Sequence, residues 1–180
     1  MAPRHAAIGS AVFFLLGPGL EIGVGPALLT GGFQRGDAVP LQPVATAVGA
    51  VLVVVGLITL VRCFARFARE GRGTPTPAAP TAALVTDGPY RRSRNPQQLA
   101  TVGVLLGEGL VLARPVLFAA AAAYLLTLHV LIVRYEEPRL RARFGAAYDV
   151  YRERVPRWLP RRRGRTIEPR ADGQSSIGAS

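Results

Sequence analysis

Two apolar stretches, residues 97–113 and 115–133, are joined by nothing longer than Arg114-Pro115. A link that short forces consecutive helices into a tight antiparallel hairpin, and Pro115 fits the first turn of the second helix, where its missing N–H costs nothing. Two further apolar segments precede them, at about 6–29 and 44–67, the latter with an unbroken core over 50–61. A bilayer-crossing helix needs about 20 apolar residues. The segments 44–67 and 115–133 meet that length comfortably, and 97–113 sits at its lower end. The first is long enough, but Pro18 and Pro26 predict a kink or partial unwinding within it. Arg4 and His5 ahead of an apolar run resemble a signal peptide. Glu21 and the close prolines and glycines favour a retained first span instead.

The charge pattern agrees. The chain has 180 residues, 49% of them hydrophobic, yet carries a formal net charge of +11, all of its basic side chains being arginine. Those properties coexist most easily in a small membrane protein with arginine-rich loops. The segment 62–94 holds seven arginines and the chain after Val133 holds twelve, whereas the 30–43 and 113–115 links hold one each. By the positive-inside rule both termini and the 68–96 loop face the cytoplasm. The expected fold is all-α: a polytopic membrane helical bundle of about four transmembrane helices within a single domain, 1–160. A C-terminal interfacial amphipathic helix over about 135–155 follows, its Tyr135, Leu140, Phe144, Tyr148 and Tyr151 near helical spacing and Pro138 and Gly145 making a break plausible. The loop 71–86 reads as irregular. The tail 161–180 reads as disordered, and its arginine run suits anionic lipid at the cytoplasmic face rather than nucleic acid. Cys63 is the single cysteine, so no internal disulfide forms, and nothing in the spacing asks for a metal.

Two polar segments flank the hairpin and carry the chemistry. Ahead of it, Asn95 is a natural N-cap and Pro96 a natural first helical residue. The same helix start, with Arg94 as a bidentate donor, could hold an anionic group such as an amino-acid carboxylate. Behind it, Glu136-Glu137 is either a solvated acid pair or a pair of carboxylates facing a cationic or hydroxyl-bearing ligand. Within the apolar segments, Glu108 and Glu21 are costly unless they face the bundle interior or a water-filled cavity. Gly103, Gly107 and Gly109 permit close approach of a helix or of a ligand. His129 shares a helical face with 133 and 136.

Taken together, Gly88-Pro89-Tyr90-Arg91, Arg94-Asn95-Pro96, Leu106-Gly107-Glu108, His129, Tyr135-Glu136-Glu137-Pro138, Arg143-Phe144-Gly145, Tyr148, Tyr151 and Val155-Pro156-Arg157-Trp158-Leu159-Pro160 resemble the isoprenylcysteine carboxyl methyltransferase family. The pattern is most similar to the bacterial members, themselves related to phospholipid N-methyltransferases. The resemblance covers most of residues 10–160. It implies a methyltransferase of the bacterial cell membrane that uses S-adenosyl-L-methionine and acts on a lipophilic small molecule or lipid. It further implies that Tyr90, Arg94, Asn95 and Pro96 line one wall of the cofactor pocket and His129, Glu136 and Glu137 the other. Tyr148 and Tyr151 join Tyr90 and the two carboxylates as candidates to stabilise the sulfonium, and His129 or Glu108 would supply a base. Asn95 stands where the eukaryotic enzymes have His, and Gln97-Gln98 where an aromatic is usual, which bears on substrate choice. Two other readings fit a helical membrane bundle: an NADPH-dependent reductase resembling the sterol reductases, and a non-catalytic scaffold that kept the fold.

Overall fold

The computed structural model of the chain describes residues 17–70 and 84–159, and among these there are helices and no strands. The beginning of the expected first span, most of the expected irregular loop and the expected disordered tail lie outside the described residues. Five helices make up the rest: α1 (Leu20–Thr30), α2 (Gln42–Glu70), α3 (Pro96–Leu112), α4 (Pro115–Phe144) and α5 (Ala146–Arg154).

Helix α1 opens with a π turn, Leu20–Val24, and continues as α-helix from Gly25. The wider turn admits Pro26, which has no N–H to give the preceding turn. The expected irregularity in this segment is therefore a local widening. Gly31, in the left-handed conformation at φ +68°, ends the helix.

Helices α2 and α3 form the tightest crossing, and glycine makes it possible. A Cβ on Gly107 would lie 2.6 Å from the Gly49 carbonyl oxygen, and one on Gly56 would lie 2.9 Å from the Ala100 carbonyl oxygen. Both obstacles are backbone, so the packing depends on the absence of a side chain. The expectation of packing or ligand contact at the α3 glycines resolves toward packing for Gly107, against α2, and for Gly109, whose added Cβ would meet the Phe118 ring.

The α3–α4 hairpin is as short as the sequence implies: Ala113 takes a left-handed cap at φ +53° and Pro115 starts α4. The carbonyls of the last α3 turn run out of onward intrahelical partners, and those of Gly109 to Leu112 are all engaged. Gly109 O accepts from the Ala113 and Arg114 N–H groups, Leu110 O from Gln42 Nε2, Val111 O from Arg35 and Leu112 O from Gly36 N. The 31–41 link thus straps one end of the bundle, and Arg114 adds a 2.9 Å hydrogen bond to Gln34 O.

Helix α4 corrects one expectation. The fourth span and the interfacial helix do not separate near residue 134. A π turn at Ile132–Glu136 carries the helix past Pro138, and Glu137 N bonds back to Ile132 O. The break comes at Gly145, with φ +52° and ψ −129°, a conformation that favours glycine. The 30 residues of α4 extend about 45 Å, more than the roughly 30 Å thickness of a hydrocarbon core.

Two helices are long and apolar enough to cross a membrane, Gln42–Arg66 and Pro115–Phe144, and 17% of each apolar window is buried within the protein. Side chains such as Val51, Val55, Ile58, Leu126 and Val130 instead face outward, a surface suited to lipid. Helix α3, at 17 residues, extends about 25 Å and is covered along Ala100, Val104, Leu105 and Gly107.

Candidate functional site

The end of the bundle opposite the 31–41 strap is where the two polar segments meet. The hairpin returns α4 to the level of the α3 N-terminus. Gly145 then folds α5 back, so that Tyr148, Tyr151 and Val155 bury together with Leu84, Leu140 and Phe144 beside them. This small core carries residues 155–158 across the start of α3.

That crossing is held by the backbone. Arg94 N donates to Pro156 O at 2.9 Å, and the Ser93 hydroxyl and Asn95 Nδ2 both donate to Arg157 O at 3.1 Å. Asn95 therefore occupies the N-cap position expected of it, but its side chain makes no cap hydrogen bond and holds the 155–158 segment instead. Asn95 and Ser93 are both buried.

Beneath lies a three-residue ion network. Arg157 donates from Nε and Nη2 to the two Glu137 carboxylate oxygens at 2.7 and 2.9 Å. Arg94 Nη1 donates to Glu137 Oε1 at 2.9 Å and to the Tyr148 hydroxyl at 3.1 Å. The side chains of Arg94 and Glu137 are 10% and 12% exposed, so this is a buried pair of the kind that fails badly when one member is removed. Burial alone would push the Glu137 carboxyl up. The Arg157 hydrogen bonds and the Arg94 and Arg157 charges outweigh it and hold the group below its ordinary value. Two guanidinium groups against one carboxylate leave the network with an excess positive charge. Arg94 Nε is buried with no hydrogen-bond partner, so a donor remains for an anionic oxygen.

The tyrosines frame this network. Tyr151 donates to the Tyr90 carbonyl at 2.8 Å, and its ring lies tilted against Tyr148 at 6.5 Å between centroids. Tyr90 is half-buried as a residue. Its hydroxyl is enclosed at the Cys63 thiol, and that burial first, then Cys63, pushes the phenol well above its ordinary value. Glu136 behaves unlike its neighbour. Burial of the carboxyl first and the Glu137 charge second push its pKa up, although the residue as a whole keeps an exposed surface.

The structure thus brings Tyr90, Arg94, Asn95, Glu137, Tyr148 and Tyr151 together, with Pro96 buried at the first turn of α3. His129 stands at the edge. It is exposed, its ring stacks on Trp158 at 6.1 Å, and its Nδ1 accepts from Trp158 Nε1 at 3.2 Å; a neutral ring then carries its proton on Nε2. Glu108 is not part of the cluster. It lies 12 residues along α3 from Pro96, about 18 Å down the axis. Arg157 and Trp158, which support the family resemblance as part of the Val155–Pro160 motif, had no assigned role in the sequence, yet they bridge Glu137, Asn95 and His129. The alternation of an acid pair on one segment with arginines on both others was the available signal. Beside the cluster, a groove of about 610 Å³ runs between residues 86–91 and α5, with Asp87, Arg91 and Arg154 on its walls and Tyr151 at its boundary.

A family model described as phospholipid methyltransferase covers residues 44–147, more than half of the chain. It takes in Tyr90, Arg94, Asn95, Glu108, His129, Glu136 and Glu137 and ends before Tyr148, Tyr151 and Arg157. No curated protein and no solved structure matches.

Proposed function

The chain belongs to the phospholipid methyltransferase family, and from that premise we propose that it is an integral membrane enzyme that transfers a methyl group from S-adenosyl-L-methionine to a lipophilic or membrane-near acceptor. The observation that carries this reading is the Arg94–Glu137–Arg157 network under Tyr148, closed over the start of α3, with Arg94 Nε still unbonded. The residues fit the cofactor's polar end. Arg94 and the α3 N-terminus offer positive potential and N–H donors to its carboxylate. Glu136 offers a carboxylate not engaged by the arginines, and the faces of Tyr148 and Tyr151 offer the π surface that a sulfonium prefers. When bound, that cofactor supplies an electrophilic methyl group.

The work left to the protein is positioning and the exclusion of water. Glu137 fixes Arg94 and Arg157 and so presets the carboxylate donor. Asn95 and Ser93 hold residues 155–158 across the helix start, placing Trp158 on His129, whose Nε2–H faces away from that bond and is free to donate to a ligand. In this reading the 1–160 domain crosses the bilayer four times with both termini in the cytoplasm, and its arginines rest on anionic lipid.

Ultraviolet crosslinking of methyl-labelled S-adenosylmethionine to the detergent-purified protein tests the assignment. Label should attach and be displaced by excess S-adenosylhomocysteine but not by NADPH. Labelling that persists undiminished under the homologue, or that NADPH displaces, would contradict it.

A further inference from the structure

A second polar cluster lies inside the bundle, one residue from each of three helices. Tyr124 of α4 donates its hydroxyl proton to Glu21 Oε2 of α1 at 2.9 Å. Thr101 of α3 is fully buried beside both, yet its hydroxyl has hydrogen-bond geometry with neither and is left without a partner. Thr101 is five residues into α3 from Pro96 and Tyr124 is five residues before His129 on α4. Both lie about 7.5 Å deeper along their helices than the start of α3 and His129. The cluster is therefore one and a half turns below the candidate cofactor site, among apolar side chains. Seven residues beyond Thr101, on the same face of α3, Glu108 Oε2 is also buried without a partner.

A structural role explains this poorly. A carboxylate at this depth is costly, and an apolar pair would join α1 to α4 without that cost. The π turn at Leu20–Val24 carries Glu21, and such widenings recur at functional sites. Thr101 and Tyr124 lie within the family match, which spans residues 44–147, and Glu21 lies ahead of it.

We propose that Glu21, Tyr124 and Thr101 bind the polar head of the lipophilic methyl acceptor, and that the head they take is an amine or hydroxyl. This rests on the methyltransferase reading for its purpose, though not for its chemistry. The cluster presents carboxyl and hydroxyl oxygens, which accept N–H and O–H donors, and a carboxylate or phosphate head would crowd a second acid beside Glu21 at this depth. The apolar chain of the acceptor then lies among the outward-facing residues of α1 and α4, with its head below the cofactor site.

The test uses the full-length protein in detergent with three probes of equal chain length: hexadecylamine, hexadecanol and hexadecanoate. Binding is followed by thermal stabilisation, with S-adenosylhomocysteine titrated in parallel. The amine or the alcohol should stabilise the wild type and the carboxylate should not. Glu21→Gln keeps an oxygen for the Tyr124 hydroxyl, so the helix contact survives, while Tyr124→Phe removes the other partner. Each should weaken the amine or alcohol at least about tenfold and leave S-adenosylhomocysteine affinity within about twofold. Equal stabilisation by all three probes, no stabilisation by any, or unchanged binding in Glu21→Gln would overturn the proposal. Glu21-dependent binding of the amine or alcohol without any S-adenosylhomocysteine binding would uphold the site and defeat the methyltransferase reading instead.

Discussion

Arg157 clasps Glu137 with two hydrogen bonds of 2.7 and 2.9 Å, and it does so from a segment 20 residues further along the chain that its backbone carbonyl ties to Asn95 at the opposite helix start. One residue thus connects both polar flanks of the hairpin. Arg94 completes the connection from the other side, so that the geometry of the candidate site depends on a single shared carboxylate.

That dependence gives a pH prediction. The Glu137 pKa is lower in the folded protein than its unfolded value of about 4.3. Its ionised form therefore contributes stability above the unfolded value, and this is lost as pH falls through the folded one. Glu137→Gln should lower stability by about 3 kcal/mol near neutrality and flatten the acid limb of the stability curve. Thermal unfolding in detergent from pH 7 to pH 3 measures both; an unchanged acid limb would contradict the assignment.

Lysine cannot replace Arg157. Its single ammonium cannot make two parallel bonds to Glu137. Arg157→Lys should raise the exposure of residues 155–158, and hydrogen exchange of the Arg94 amide, bonded to Pro156 O, should accelerate. Protection equal to wild type would show that the backbone contacts alone hold the segment.

The α2–α3 crossing predicts a steric failure without chemistry. Gly107→Ala places a methyl group 2.6 Å from the Gly49 carbonyl oxygen and 3.0 Å from Val53 N. Neither is a side chain that can turn aside, and overpacking of this kind costs about 1–3 kcal/mol. Gly103, whose added Cβ meets nothing within 4 Å, provides the control. Gly107→Ala should lower the unfolding midpoint and Gly103→Ala should not.

Much of this was legible in the sequence because membrane length, a two-residue link and arginine-rich flanks are local signals. The α3–α4 hairpin and the meeting of the Arg94 and Glu137 segments follow from them. The continuity of α4 does not. Pro138 reads as a helix breaker, and only the π turn before it, which depends on packing, lets the helix pass. Nor could a sequence show that Asn95 spends its side chain on Arg157 O rather than on its own helix. Residue type also does not reveal that Glu108, a candidate base, sits about 18 Å along α3 from the cluster. The Glu21–Tyr124 contact spans 103 residues, a separation at which no pattern of spacing is informative.

In the proposed reading, the Arg94–Glu137–Arg157 network forms the wall of a cofactor site. Calorimetric titration of S-adenosylhomocysteine into the purified protein probes that wall itself. The expected result is a dissociation constant in the micromolar range, about −8 kcal/mol, weakened at least about tenfold by Arg94→Ala, and no heat from NADPH. A folded, monodisperse sample that gives no heat with S-adenosylhomocysteine would contradict it.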